Sequence, residues 1–154
     1  ALPISFHIGE ARDLGIFDKS QIEMFLRALA NRSAIFQEVD SAKLVHVDFH
    51  FGNLLYEDQK ITGVFDFEWA FAGDPLYDCC RWVHKEEEWP GSRHAFLRGC
   101  GRERFTKFEM DRMALYQMIR NIELCVVSKL HFGAEEARSF KDTTIVQAGQ
   151  LNNS

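Results

Sequence analysis

One long helical segment, residues 106–132, constrains this chain more than any other feature, because its apolar side chains cover more than one face. Thr106 and Glu109 fit a capping box at the start of the segment, and Gly133 fits its C-terminal cap. The apolar positions are Met113, Leu115, Tyr116, Met118, Ile119, Ile122, Cys125, Val126 and Leu130. A helix that is apolar around its circumference has to be covered by neighbouring elements. We therefore predict a helical bundle with this helix near its centre.

The chain before residue 40 carries a second helical pattern, preceded by a segment without periodicity. Residues 1–17 are predicted to form an irregular lead-in, since a proline and two glycines interrupt any repeat. Apolar side chains then recur at helical spacing as far as about Glu38. Asp18 or Ser20 can cap this helix, and Ser20 together with Glu23 fits a capping box.

The segment between residues 43 and 65 contains the short apolar and β-branched runs that are typical of strands. Lys43–Val47 is predicted to be one strand. Asn53–Glu57 and Ile61–Phe65 are predicted to form a hairpin around a tight turn at residues 58–60. The fold class is therefore α+β and mostly helical, with a small β-hairpin in the first half of the chain.

Further helices are predicted after the hairpin. Asp74 and Pro75 suit a helix start, because Asp caps the first turn and Pro fits the first helical position. That helix is predicted to run to about Trp89. A short helix at 94–98 and a weaker one at 134–150, with a fraying Asn-rich end, complete the prediction.

Negative charge is concentrated in one stretch of the sequence. The 154 residues carry a formal net charge of −5, and the 35 residues from Leu44 to Asp78 carry −6, from seven acidic residues and one lysine. Clustered carboxylates repel one another unless a cation offsets them. The stretch is therefore either a solvated acidic loop or a cation site. The negative balance also argues against nucleic acid as a partner, because phosphate binding needs a basic face.

Composition places the chain among globular proteins of one-domain size, with 46% hydrophobic and 27% charged residues. No apolar run approaches the ~18 residues that a membrane helix needs, so we expect no membrane partner. No signal peptide opens the sequence. Cys79 and Cys80 are adjacent and no Cys-x-x-Cys pair occurs, which disfavours a zinc site. Four reduced thiols in a cytoplasmic protein are the simplest interpretation.

Two polar residues flank the predicted hairpin in an arrangement that suits a metal ion. If the turn is centred near residue 59, Glu57 faces Ile61 and Asn53 faces Phe65. Asp66 then lands opposite residue 52 or 53, with the Cβ atoms of directly opposed residues about 5 Å apart. An amide oxygen and a carboxylate so placed suit Mg²⁺, which keeps several waters and takes further ligands from phosphates.

A third polar residue belongs to the same end of the hairpin. Asp48 lies five residues before Asn53, in the loop that leads to the predicted metal site. A carboxylate near bound phosphate can accept or orient the proton of an attacking hydroxyl. Gly52 lets the loop turn tightly beside this site.

These residues carry a family resemblance. His46-Val47-Asp48 with Asn53 five residues after the Asp, then Asp66-Phe67-Glu68, then Gly73-Asp74-Pro75-x-x-Asp78 follow one another in this order. Together they resemble the catalytic and metal-binding loops of the aminoglycoside phosphotransferase/choline kinase family, a branch of the protein-kinase-like fold. The resemblance covers about residues 44–81 and implies that the chain is the C-terminal lobe of such a fold.

The resemblance implies a role for each matching residue. Asp48 corresponds to the catalytic base, and Asn53 and Asp66 correspond to the Mg²⁺ ligands. His46 corresponds to the histidine that braces the catalytic loop, although a lone histidine of this kind is more often a core residue. Val47 departs from the Gly or Arg that is more usual between the His and the Asp.

Four further residues belong to the same segment. Two of them, His50 and Glu68, are open to a functional or a structural interpretation, and the other two are interpreted as structural. His50 occupies the position two after the catalytic Asp, so it either contacts the transferred phosphate or is a satisfied structural histidine. Glu68 either touches metal or substrate or has an ordinary polar role. Asp74 and Asp78 are interpreted as structural, the first as a helix cap and the second as a buried brace against the loop backbone.

A kinase-like mechanism also needs a Gly-rich loop over the phosphates and a strand lysine. No G-x-G-x-x-G occurs in the sequence, and the only lysines before Asp48 are Lys19, at a helix start, and Lys43. Residues 1–154 are therefore predicted to be a single C-terminal lobe that carries the catalytic and substrate-binding parts. The N-terminal ATP-clasping lobe is predicted to be absent from this chain, which is then inactive alone.

The function implied is that of an ATP-dependent small-molecule hydroxyl kinase with Mg²⁺ as cofactor. The acceptor is an alcohol, with a cationic aminoglycoside or a choline-like amine as the first hypothesis and a neutral sugar, macrolide or amino-alcohol left open. An aminoglycoside acceptor would imply a role in antibiotic resistance. Glu86–Glu88 could serve a cationic acceptor, but a solvated helix end is the simpler interpretation.

Two other functions compete with the kinase. A truncated kinase-like domain could act as a non-enzymatic binding module. Alternatively, His46, Asp48 and His50 could be ligands of a dinuclear metal hydrolase, although the remaining histidines lack a recognisable spacing for further ligands.

Overall fold

Six α-helices and two antiparallel strand pairs are present in the computed structural model, within the residues that it describes, 4–39, 41–83 and 90–153. The helices are α1 (Ile4–Asp13), α2 (Lys19–Asn31), α3 (Leu76–Val83), α4 (Ser92–Gly99), α5 (Lys107–His131) and α6 (Ala134–Asn153). The strands are β1 (Lys43–Val45), β2 (Leu54–Glu57), β3 (Lys60–Val64) and β4 (Phe71–Gly73). This confirms a mostly helical α+β chain. Across the described ranges, no helix has the length and apolarity required to span a bilayer.

The chain divides into two compact units. The helical unit consists of Ala1–Glu38 and Lys107–Ser154, and so contains α1, α2, α5 and α6. The mixed unit is Val39–Thr106, and it contains all four strands with α3 and α4.

The long helix α5 organises the helical unit, as its apolar circumference predicts. It packs against α1 and α6. Its fully buried Leu115, Met118 and Cys125 join the apolar cluster formed with the other helices. Met113 of the same helix is also fully buried. At its C-terminus the backbone N–H of Gly133, with φ +103°, donates to the carbonyl of Ser128, so the predicted glycine cap is confirmed.

The predicted irregular lead-in is wrong over most of its length, because residues 4–13 form α1. Ile8 and Ala11 of this helix are buried in the apolar cluster. Gly9 lies within the helix, where a Cβ would meet no atom within 4 Å. The packing of one apolar face therefore outweighs the weak helix propensity of a single glycine. Gly15, with φ +63°, follows the end of the helix.

Helix α2 is capped by Asp18, one of the two predicted caps. The Asp18 carboxylate accepts from the backbone N–H of Gln21 at 2.9 Å, and the Gln21 side chain accepts from the Asp18 N–H at 3.0 Å. The capping box therefore joins Asp18 and Gln21, and the predicted box of Ser20 with Glu23 is wrong. The helix ends at Asn31, and a 3₁₀ segment, Ser33–Glu38, continues where a single helix was predicted.

The predicted hairpin is confirmed, with a different turn. Asp58 and Gln59 both have positive φ, +49° and +62°, and form a two-residue turn that pairs Glu57 with Lys60. The predicted pairing of Glu57 with Ile61 is therefore wrong. A β-bulge between the Tyr56–Ile61 and Leu55–Gly63 pairs restores the predicted register toward the other end of the hairpin.

A second strand pair was not predicted. β4 pairs antiparallel with β1 in the register Lys43–Gly73, Leu44–Ala72 and Val45–Phe71. Three-residue strands carry too little alternation for a periodic pattern to be visible in the sequence.

The helix start at Asp74 and Pro75 is confirmed. The Asp74 carboxylate accepts from the backbone N–H of Leu76 at 3.0 Å, and α3 follows. The predicted end of this helix near Trp89, and the Glu86–Glu88 run, lie outside the described residues. The short helix predicted at 94–98 is present as α4.

The end of the last helix is tied down rather than frayed. α6 extends to Asn153, three residues beyond the prediction. The Asn152 amide group donates to the backbone carbonyls of Met24, in α2, and Ala148, at 3.0 Å each. A side-chain amide that bonds to a neighbouring helix holds this terminus in place.

All four cysteines are free thiols, as predicted. Cys79, Cys80 and Cys125 are buried, and Cys100 is exposed. Burial raises the pKa of Cys79 to about 12 and that of Cys125 to about 11, because a thiolate loses its hydration inside the protein. These two thiols therefore stay neutral at physiological pH.

Candidate active site

The loop that contains His46 and Asp48 is held from α3. Asp78, in the first turn of α3, accepts from the backbone N–H of His46 at 2.7 Å and from that of Val47 at 2.8 Å. Val47 has φ +76°, a left-handed conformation that a β-branched residue rarely adopts. The two hydrogen bonds offset the cost of this conformation, so Asp78 braces the loop backbone.

Hydrogen-bond donors contact both oxygens of the Asp48 carboxylate. Arg81 of α3 donates through Nη1 to Oδ1 at 2.6 Å. The Asn53 amide donates to Oδ2 at 3.0 Å, and His50 Nε2 lies 3.1 Å from the same oxygen. The Asp48 side chain keeps 34% of its surface exposed. A carboxylate that is oriented by donors on both oxygens and still open to solvent can receive a proton from a bound hydroxyl.

Both ring nitrogens of His50 are engaged within the loop. The backbone N–H of Gly52 donates to Nδ1 at 3.0 Å, so Nδ1 is the unprotonated nitrogen of the neutral ring. Nε2 then carries the proton and donates it toward Asp48. A Cβ on Gly52 would lie 2.6 Å from Cε1 of His50, so the glycine is needed for this close approach and not for its φ.

Asn53 is buried and links the loop to the hairpin. Its amide group donates to the backbone carbonyl of Asp48 at 2.9 Å as well as to the Asp48 carboxylate. The Asn53 carbonyl accepts from the backbone N–H of Phe65 at 3.1 Å, which continues the β2–β3 pairing. Among the described residues, the side-chain oxygen of Asn53 accepts no hydrogen bond. This oxygen remains available as a ligand.

Asp66 follows directly after the residue that pairs with Asn53. His46 Nε2 lies 2.9 Å from the carbonyl oxygen of Phe65, the peptide group that leads into Asp66. The ring of His46 also packs against Phe67, with 4.5 Å between the ring centroids. Asp66 has φ +68°, and its exposed carboxylate makes no hydrogen bond or ion pair with another described residue. His46 and the hairpin therefore bring the Asp66 segment to the end of the hairpin where Asn53 lies.

The donors at this end of the hairpin fit a small, hard cation. The Asn53 side-chain oxygen and the Asp66 carboxylate are oxygen ligands, the type that Mg²⁺ prefers together with waters and phosphate oxygens. Within the described ranges, no group of three or more His, Cys, Asp or Glu side chains is placed to hold a metal ion. Two protein oxygens would leave the other coordination positions of Mg²⁺ to waters and phosphate oxygens.

The same observations weaken the dinuclear hydrolase hypothesis. His46 Nε2 contacts the Phe65 carbonyl, and both nitrogens of His50 contact groups of their own loop. Nitrogens used in this way are not directed with Asp48 toward a common metal ion.

Of the remaining predicted residues, Asp74 caps α3, and Glu68 is exposed without a hydrogen bond to another described residue. Arg81 was not predicted from the sequence, although its 2.6 Å contact with Asp48 is shorter than those of Asn53 and His50. Its position three residues after Asp78 on α3 could have indicated a contact with the same loop, because residues i and i+3 lie on one helix face.

Residues 11–116 match the model of the phosphotransferase enzyme family (APH), a span that includes the whole loop and α3. No curated protein matches the sequence. The matched span covers more than half of the chain.

Solved structures show the same fold over about half of a longer protein. A thermostable mutant of aminoglycoside phosphotransferase APH(4)-Ia in its apo form is 18% identical, with a TM-score of 0.69 over 99% of this chain and 54% of that chain. A ternary complex of such a mutant with AMP-PNP and hygromycin B is 22% identical, with a TM-score of 0.59 over 94% and 52%. A ternary complex with ADP and hygromycin B is 20% identical, with a TM-score of 0.60 over 94% and 52%.

Proposed function

The chain belongs to the phosphotransferase enzyme family, and from this premise we propose that it carries the catalytic base and the Mg²⁺ ligands of an ATP-dependent small-molecule hydroxyl kinase. The single observation that carries the proposal is the direct contact between Asp48 and Asn53 at the end of the β2–β3 hairpin. This contact joins a proton acceptor to a metal ligand in one loop, as phosphoryl transfer to an alcohol requires.

Asp48 is the proposed base. The oxygen of the acceptor alcohol attacks the γ-phosphorus of ATP, and the bond from that phosphorus to the β–γ bridging oxygen breaks, which releases ADP. The alcohol proton passes to the carboxylate of Asp48. Because the transferred group is already reactive, the protein contributes chiefly position and charge neutralisation.

Asn53 and Asp66 are the proposed Mg²⁺ ligands, through an amide oxygen and a carboxylate that are both open to further partners. The ion, when bound, neutralises charge on the phosphates. Glu68, exposed two residues after Asp66, is an additional candidate contact for the metal or the acceptor.

The remaining site residues are proposed to position the loop. His46 holds the peptide group before Asp66, Asp78 holds the loop backbone, and Asp74 begins the helix that carries Asp78. For His50, the use of both ring nitrogens favours orientation of Asp48 over a phosphate contact in this state. A phosphate contact would require His50 to leave Gly52 or Asp48.

ATP and a hydroxyl-bearing amine are the proposed substrates. The similar APH(4)-Ia structures contain AMP-PNP or ADP together with hygromycin B, an aminoglycoside. We propose a cationic aminoglycoside as the first acceptor to test and a choline-like amine as the second. Transfer to an aminoglycoside would give antibiotic resistance, with the enzyme acting in the cytoplasm, where ATP is present.

Residues 1–154 are proposed to be a C-terminal lobe, because the chain spans about half of the solved structures that it matches. The ATP-clasping N-terminal lobe would then lie outside this chain. The isolated chain should transfer no measurable phosphate and bind ATP weakly. Micromolar ATP affinity of the isolated chain in calorimetry would contradict this assignment.

The test uses the full-length protein with ATP and a panel of aminoglycosides, choline-like amines and neutral sugars, with ADP release as the measurement. Asp48→Asn and Asp66→Asn should each lower kcat by about 10³-fold, because each removes a group that acts on the reacting phosphate or hydroxyl. Glu57→Gln, an exposed carboxylate on the same hairpin, is the matched control and should leave kcat unchanged.

Unchanged turnover in either Asp variant would refute the residue assignment. A full-length protein that folds and transfers phosphate to no member of the panel would instead favour the non-enzymatic binding module.

A further inference from the structure

Helix α3 contacts the proposed catalytic loop twice, through side chains three residues apart. Asp78 accepts from the backbone of His46 and Val47, and Arg81 donates to the carboxylate of Asp48. Residues at i and i+3 lie on one face of a helix, so α3 presents both groups to the loop together. Asp78 holds the loop backbone, and Arg81 holds the carboxylate of Asp48.

We propose that Arg81 is a positioning residue that orients Asp48 for proton transfer, an inference that rests on the proposed kinase function. The Nη1–Oδ1 distance of 2.6 Å is that of a short charge-assisted hydrogen bond. Arg81 reaches Asp48 from 33 residues along the chain, whereas Asn53 and His50 lie within five residues of Asp48. The orientation of the base is therefore set partly by a helix and not by its own loop alone.

The donors act on different oxygens of Asp48. Asn53 and His50 contact Oδ2, and Arg81 contacts Oδ1. Rotation of the carboxylate about its terminal torsion would break bonds on both oxygens at once. Terminal carboxylate torsions are otherwise broad, so without Arg81 the group would sample orientations that do not face the acceptor hydroxyl.

Charge adds to the orientation that Arg81 provides. The Arg81 guanidinium is a cation, so its bond to Asp48 is charge-assisted and stronger than the bond from a neutral donor such as the Asn53 amide. Loss of this bond should therefore loosen the Asp48 carboxylate more than loss of a neutral donor would.

The test measures kcat and the KM for ATP in three variants of the full-length protein. Arg81→Met removes the charge and keeps an unbranched apolar side chain, and Arg81→Lys keeps the charge without the planar fork. Arg98→Met is the matched control, since Arg98 is an exposed arginine on α4 whose side chain makes no hydrogen bond or ion pair with another described residue.

We expect Arg81→Met to lower kcat by about 10- to 100-fold with the KM for ATP nearly unchanged, because the loss is one of orientation. Arg81→Lys should lower kcat by less than Arg81→Met does, because it keeps a charged donor on this face of α3. Arg98→Met should change neither kcat nor the KM for ATP.

A purely structural role for Arg81 would reduce the fraction of folded protein, measured by circular dichroism, and leave kcat per folded molecule unchanged, and that result would overturn the proposal. If Arg81→Met fails to fold, Arg81→Lys decides, because wild-type kcat in that variant would show that the guanidinium geometry is unnecessary. Loss of activity in Asp48→Asn together with wild-type activity in Arg81→Met would refute only this inference. Activity retained in Asp48→Asn would refute the proposed function itself.

Discussion

The two units of the chain are stabilised in different ways. The helical unit contains a single apolar cluster, to which side chains of α1, α2, α5 and α6 contribute. The mixed unit has strands of three to five residues and described helices of eight, and many apolar side chains of its hairpin are exposed. Its loop is held instead by hydrogen bonds from side chains to backbone, chiefly those of Asp78, Asn53 and His46. Directional polar contacts therefore shape the candidate active site, whereas apolar burial shapes the bundle.

The distribution of unusual backbone conformations follows the same division. Within the described residues, the non-glycine positions with positive φ are Val47, Asp58, Gln59 and Asp66, and all of them lie in the mixed unit. Asp58 and Gln59 form the hairpin turn, but Val47 directly precedes the proposed base and Asp66 is itself a proposed metal ligand. Strain of this kind persists where surrounding contacts enforce it, and it is concentrated at functional sites.

The largest expected effect is in the apolar cluster of the helical unit. Phe25 is completely buried on α2 and meets Phe17 edge to face, with 4.8 Å between ring centroids. Phe25→Ala should lower the free energy of unfolding by about 4 kcal/mol, because it removes a buried ring and leaves a cavity. Leu26→Ala, at an adjacent position that is 47% exposed, should lower it by less than about 1 kcal/mol. Urea denaturation measures both, and equal losses would contradict the assignment of this core.

A smaller loss is expected at the brace of the mixed unit. Asp78→Asn keeps the shape of the side chain but removes the charge and one of the two acceptors for the His46 and Val47 amides. The free energy of unfolding should fall by about 2 kcal/mol, since a charge-assisted bond is lost and an N–H group is left without its acceptor. Hydrogen exchange at these two amides should accelerate in the native protein. Glu103→Gln, at an exposed position of the same unit, should change neither quantity, and slow exchange in Asp78→Asn would show that the brace is unnecessary.

The smallest expected effect has the opposite sign. Val47→Gly should raise the free energy of unfolding by about 1 kcal/mol, because glycine adopts the left-handed conformation without the steric cost of a β-branched side chain. Val47→Ala should give a smaller change, since alanine keeps a Cβ in the same conformation. Urea denaturation distinguishes the two variants, and a destabilised Val47→Gly would mean that the valine side chain contributes more by packing than its strain costs.

Much of the candidate site could be predicted from the spacing of residues along the chain. The hairpin was predicted with Asn53 opposite Phe65, and the hydrogen bond between these residues agrees with that register. Two differences from the prediction cancel at this end of the hairpin. The turn is one residue shorter than predicted, and an unpredicted β-bulge adds one residue to the second strand. Register near the site depends on both features, and only the turn has a recognisable sequence signal.

Other elements could not be predicted for identifiable reasons. α1 contains a glycine that weakens its periodic pattern, yet Ile8 and Ala11 become part of the apolar cluster. β4 is three residues long and acquires its strand conformation by pairing with β1. In both cases, contacts with distant parts of the chain outweigh local preference.

The sequence by itself determined which chemical groups this protein can use. It supplies a carboxylate, an amide and a second carboxylate at Asp48, Asn53 and Asp66, in an order and spacing that place them near one hairpin end. Tertiary structure decided how the proposed base is oriented, because Arg81 meets Asp48 only when α3 packs beside the loop. The spacing of apolar residues along a segment indicates its secondary structure and the face that it buries. The pairing of side chains from segments 33 residues apart depends on how those segments pack.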